Sequence, residues 1–221
     1  MSEFVTEEAF ERRLRKAISV AWHVFGRKVG GGLIPINKEA SMQLQYAYLL
    51  KQLLPLTLHH VGESAELELE TSVKTSSGTN NIDVLLLGKT PSQEIRIAIE
   101  MKCYRTYAAS GGTRGAHDIF MKDVYEDLAI LEEYVSLSHA SRGVALVMND
   151  LPRFVEPKVK SGKCWAYDIS HGHTFPGGQL SVPVGGKSVH IELKNSYTFN
   201  WQKFGSLWFS EIEGVCLNAK Q

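Results

Sequence analysis

Residues 65–102 alternate three strand-like segments with two short turns, and that order limits the fold more than any other feature of the chain. Over residues 65–73, Glu66, Glu68 and Glu70 alternate with Leu67, Leu69 and Thr71, the period of two expected of a strand with one wet face. Over residues 81–88 the run Ile-Asp-Val-Leu-Leu-Leu is nearly solid apolar and predicts a buried strand. Residues 94–102 hold Ile95, Ile97, Ala98 and Ile99 and close the series. The connectors, 74–80 and 89–93, are rich in Ser, Thr, Gly and Pro, which predicts hairpin turns and therefore an antiparallel meander.

Helices and one more strand frame the meander. Apolar residues at Phe10, Leu14, Ala17, Ile18, Ala21, Trp22 and Phe25 predict an amphipathic packing helix over residues 6–25, with Glu7 and Glu8 suited to its positive end. It is expected to stop in a flexible basic loop, Gly26-Arg27-Lys28-Val29-Gly30-Gly31-Gly32. A second helix is expected after Asn37, a good N-cap, running through Met42, Tyr46, Leu49, Leu50 and Leu53 to Pro55. After a glycine-containing loop over residues 104–116, a periodic helix turns Phe120, Val124, Leu128, Leu131 and Val135 inward, and a buried strand follows over residues 143–148. Strand, crossover helix and strand predict a right-handed βαβ unit with its two strands parallel. The fold class is α/β: an α-β-β-β-α-β core over residues 37–149 with a mixed sheet flanked by helices. A β-rich elaboration over residues 150–221 completes what reads as a single domain over residues 1–221.

Composition narrows the class. The chain has 221 residues, with 24 basic and 24 acidic side chains, so bulk electrostatic attraction to nucleic acid is excluded. Cys103, Cys164 and Cys216 are too few and too scattered for a disulfide framework or a cysteine zinc site, and a reducing cytoplasm is the expected location. Glu3, Glu7, Glu8 and Glu11 oppose a secretory leader, and no apolar stretch is long enough to predict a membrane span.

The chemistry is expected at the end of the meander. Asp83 is an isolated acid inside an apolar strand, costly to bury unless a cation satisfies it. Glu100 and Lys102 stand two residues apart and share a face, so pairing of the second and third strands would bring two carboxylates and an ammonium together. Hard carboxylate oxygens suit Mg²⁺, with Mn²⁺ an alternative.

Asp83, sixteen intervening residues and then Glu100-x-Lys102, set on the second and third strands of such a core, resemble the PD-(D/E)XK nuclease superfamily, which includes restriction endonucleases. The resemblance covers about residues 37–149, and Ile82 stands where the family name has proline. It implies that Asp83 and Glu100 bind a divalent metal and that Lys102 sits beside the attacking water. It also implies a further acid from the helix before the meander, a place matched by Glu39, with Gln43 and Tyr46 on the same face and Glu70 as competitor.

The net charge of zero resolves into local imbalances. Residues 63–100 carry 7 acids against 3 bases and residues 117–135 carry 6 against 1, whereas residues 101–116 carry 3 bases and no acid. Arg105 and Arg114, joined by Arg27 and Lys28, are the expected phosphate contacts, and the expected partner is double-stranded DNA. The β-rich C-terminal part is expected to shape substrate choice or a homodimer interface, since cutting both strands often needs two sites. The alternatives are a non-catalytic nucleic-acid or protein-binding module on the same fold, or an RNA-cleaving nuclease. Gly185-Gly186-Lys187-Ser188 reads as a turn, His171-Gly-His173 as a loop pair, and the aromatic series Tyr197, Phe199, Trp201, Phe204, Trp208 and Phe209 as core.

Overall fold

The computed structural model describes residues 9–107 and 111–216; Thr6, Glu7 and Glu8 of the expected first helix lie outside them. Helices α1 (Phe10–Gly30) and α2 (Glu39–Leu53) come first. The meander follows as β1 (Ser64–Thr75), β2 (Gly78–Lys89) and β3 (Glu94–Tyr104). Then come α3 (His117–Ser136), β4 (Arg142–Asn149) and the short α4 (Pro152–Val155). The remainder forms β5 (Thr174–Phe175), β6 (Gly178–Leu180), β7 (Ile191–Leu193), β8 (Asn195–Thr198), β9 (Trp201–Phe204), β10 (Leu207–Ile212) and β11 (Val215–Cys216).

The main sheet is mixed and has six strands in the order β1-β2-β3-β4-β10-β9. The meander is antiparallel, as the short polar turns require, and β3 runs parallel to β4 from Ile97 opposite Arg142 to Tyr104 opposite Asn149. The α/β class, the mixed sheet and the flanking helices are therefore as expected. The C-terminal part does more than elaborate: β10 pairs antiparallel with β4, so the β9–β10 hairpin extends the main sheet and makes β4 an interior strand. Among the described residues no helix is long and apolar enough to cross a membrane.

Two apolar layers sandwich the sheet. One joins α1 and α2 to Val84, Leu86, Ile97, Ile99, Met101, Val144, Leu146 and Met148. The other joins α3 and the C-terminal strands to Leu85, Ala98, Ala145 and Val147. The alternation of these two sets along β2, β3 and β4 follows from the pleat. The aromatic series is core as expected: Tyr197, Phe199, Trp201, Trp208 and Phe209 are all buried.

Three local expectations are corrected. The segment from Gly26 to Gly30 is helix, not loop, and α1 runs on to Gly30. Its glycines serve close packing. A Cβ at Gly26 would lie 2.7 Å from the Phe204 ring, and one at Gly30 would lie 2.4 Å from the Phe204 carbonyl oxygen of β9. At α2 the N-cap position is Lys38, one residue later than Asn37, and the Ser41 hydroxyl accepts the N–H groups of both at 3.3 Å. On α3 Val135 is 40% exposed, and the inward position at that level belongs to Tyr134. The stripe follows 3.6 residues per turn from Phe120 through Val124 and Leu131, which lands on residue 134.

Candidate active site

The sheet forks at Asp83. Pairing of β2 with β3 runs from Lys89 opposite Glu94 to Val84 opposite Ile99 and ends there, although both strands continue. On the other side, β1 pairs with β2 at Leu69–Val84 and again at Thr71–Ile82, skipping Glu70 and Asp83. Glu70 is left-handed there, at φ 53°, a conformation that costs a non-glycine residue on the order of 1–3 kcal/mol.

The groups released from the ladder find other partners. The Asp83 carbonyl accepts Gln43 Nε2 at 2.6 Å, and the same amide nitrogen donates to Glu70 Oε1 at 2.7 Å. Gln43 comes from the buried face of α2, so one side chain staples the helix to both strands at the fork. Asp83 Oδ2 accepts the Met101 N–H at 2.7 Å, which fixes the carboxylate across the gap to β3.

Glu100 and Lys102 share the α3 face of β3. Lys102 Nζ lies 3.3 Å from Asp127 Oδ2 of α3 and 3.6 Å from Glu39 Oε1 at the start of α2. The second Glu39 oxygen accepts the Cys103 N–H at 3.2 Å, tying α2 to the end of β3. Glu100 is buried, and its Oε1 has no hydrogen-bond partner. Such an orphan is expensive unless something outside the chain satisfies it.

The electrostatics express the same excess of acids. Burial raises Glu100 well above the usual carboxylate range, and Asp83 and Asp127 add to the shift, with Lys102 and Tyr134 pulling the other way. Burial pushes Asp83 up to about 6 against the Met101 N–H, with Glu39 and Glu70 adding to it. Burial pushes Asp127 up to about 8 despite the neighbouring Lys102 ammonium. Burial also disfavours the Lys102 ammonium, but Asp127, Glu39 and Asp83 outweigh it and hold the proton on more tightly than usual. Three carboxyl groups are thus starved of positive charge around one lysine.

A divalent cation fits that deficit. Among the described residues no three His, Cys, Asp or Glu side chains are gathered to hold a metal. The donors to be tested are therefore Asp83 and the orphaned oxygen of Glu100, leaving other positions to water and substrate oxygens as Mg²⁺ usually does.

The structure brings Glu39, Asp83, Glu100 and Lys102 into one network, and Glu70 into its Gln43 branch. The basic residues divide. Arg105 donates to Asp150 Oδ2 at 3.0 Å and to the Ile36 carbonyl at 2.9 Å, and Arg114 reaches the Asn37 carbonyl at 3.4 Å. Both therefore line the approach to α2 next to Glu39. Arg27 and Lys28 lie on the last turn of α1 instead. There Arg27 donates to His23 Nε2 at 2.8 Å and sits over the Phe204 ring. Away from the site, His171 Nδ1 accepts the Trp201 N–H, His173 faces Asp168, and Val184 and Lys187 close the turn at Gly185-Gly186.

Asp127 escaped the sequence reading. The signal was present, because residues 120, 124, 127, 131 and 134 fall on one stripe of α3, and Asp127 is the acid on an otherwise apolar and aromatic face. Comparison with known proteins adds no relative: no protein-family model matches the chain, and neither a curated protein nor a solved structure does.

Proposed function

We propose that this chain is a metal-dependent endonuclease of the PD-(D/E)XK type, hydrolysing phosphodiester bonds of double-stranded DNA. The observation that carries the reading is the buried, half-unpartnered Glu100 beside Asp83 and Lys102 where β2 leaves β3. A module kept only for binding has no need of a costly buried carboxylate next to a second acid and a lysine.

Asp83 and Glu100 are assigned to hold the cation, Mg²⁺ or Mn²⁺. When bound there, it supplies Lewis acidity toward a phosphate oxygen and lowers the pKa of a coordinated water. Lys102, kept charged by the acids around it, offsets negative charge that builds on the phosphate and orients the attacking water. Gln43 and the Met101 N–H keep the Asp83 backbone and carboxylate in place. Glu39 steadies Lys102 from the α2 side, and Arg105 and Arg114 flank the path of the backbone. Hydrolysis needs no covalent intermediate. A homodimer would present one such site to each strand.

The test incubates the protein with supercoiled plasmid or structured RNA in Mg²⁺, Mn²⁺ or EDTA. Nicking that depends on the metal and falls about 10³-fold in Asp83→Ala and Lys102→Ala is expected. Cleavage that survives both substitutions overturns the assignment, binding without cleavage favours the non-catalytic module, and cleavage of RNA alone moves the substrate class.

A further inference from the structure

Resting on that reading, we propose that Asp127 is a positioning residue that aims the Lys102 ammonium into the fork between β2 and β3 without holding the metal itself. Its carboxylate lies 3.3 Å from Lys102 Nζ, and its side chain is 15% exposed against 43% for Glu39, the other acid on the lysine. The two grips are unlike. Glu39 stands at the solvent-facing start of α2 and spends its second oxygen on the Cys103 N–H. Asp127 reaches Lys102 from inside α3, on the stripe whose other members, Phe120, Val124, Leu131 and Tyr134, build the core.

Stability does not explain the choice of residue. An apolar side chain at residue 127 would extend the core, whereas a buried ion pair commonly does no better than a well-packed hydrophobic substitute. What the acid provides is a fixed anchor for a long, flexible side chain. A lysine carries a compact charge on a four-carbon stem with many rotamers, and a catalytic ammonium is useful only if held in one of them. The β3 backbone sets where the lysine starts, and Asp127 sets where it ends. The sheet alone cannot do this, since β2 has left β3 by the level of Asp83 and no partner strand stands on that side of Lys102.

The first measurement needs no substrate. Trace acetylation of the whole protein, read by mass spectrometry, reports how constrained each lysine is. In Asp127→Asn the Lys102 rate is expected to rise about fivefold over wild type, with Lys51 and Lys89 unchanged as internal references. Calorimetry with Mn²⁺ alone should give Asp127→Asn an affinity within about threefold of wild type, and Glu100→Gln one at least tenfold weaker. In the plasmid assay, kcat of Asp127→Asn is expected to fall roughly 10²-fold with KM nearly unchanged, and Asp127→Glu should recover part of the loss.

An unchanged Lys102 acetylation rate overturns the proposal. So does a loss of Mn²⁺ affinity in Asp127→Asn as large as that in Glu100→Gln, which would make Asp127 a ligand. If wild type cleaves nothing, the nuclease reading fails by itself, while acetylation still decides whether Asp127 restrains Lys102. Should Asp127→Asn not fold, Asp127→Glu carries the acetylation measurement, with a rate nearer wild type than that of Glu39→Gln supporting the anchor and a higher one overturning it.

Discussion

On the face of β3 turned toward α1 and α2, Ile97, Ile99 and Met101 are wholly buried among aliphatic and aromatic neighbours. On the face turned toward α3, Ala98 is followed by Glu100 and Lys102, and the helix opposite answers with Asp127 inside its apolar stripe. The same strand thus carries two kinds of interior. One is made entirely of contacts that favour the folded state, and the other holds charges that oppose it. A residue that stabilises the fold can be separated from one assigned to the proposed chemistry by asking which face of β3 it occupies.

That contrast can be broken by substitution. The largest stability effect is expected on the apolar face: Met101→Ala should cost about 2–5 kcal/mol in a urea titration, with cleavage per folded molecule little changed. A comparable loss of cleavage there would mean that the two faces are not independent. Gly30→Ala comes next, at about 1–3 kcal/mol, because its Cβ would press on the Phe204 backbone and push the β9–β10 hairpin off α1. On the charged face the sign should reverse. Glu100→Gln removes a buried carboxylate while keeping its shape, so the metal-free protein should gain about 1 kcal/mol near pH 8 even as metal-dependent cleavage disappears.

The most diagnostic effect concerns pH. Asp83, Glu100 and Asp127 bind protons more tightly folded than unfolded, so between about pH 4 and 8 the folded state carries the extra protons. Stability of the metal-free protein should therefore fall as pH rises through that window. Mn²⁺ should flatten the dependence, since its charge replaces the protons. A midpoint in urea that stays level from pH 5 to 8 without metal would remove the electrostatic basis of the comparison.

Much of this is legible in the sequence alone. The three strands of the meander were readable because the pleat converts burial directly into alternation, and Asp83, Glu100 and Lys102 were readable because charge is conspicuous in apolar strands. What was missed depends on partners far away in sequence. Gly26 and Gly30 look like helix breakers until Phe204 is known to pack against them, and tertiary contact outweighs their poor propensity. Asp127 looks like one acid among several on α3 until Lys102 arrives beside it. Arg105 looks like a solvated loop cation until Asp150 folds back onto it. Local pattern records the backbone's needs, and it is silent about which distant side chain will meet which.

The outer edge of the main sheet at β1 has a consequence for self-association. Glu66 and Glu68 line that edge strand, and Glu70 adds a third acid at the left-handed kink. A second copy adding edge to edge would bring acidic rows toward one another, and the kink would spoil its hydrogen-bond register. β1 is thus a terminus that resists extension, so a pairing of two copies would have to use another surface and would leave the sheet finite.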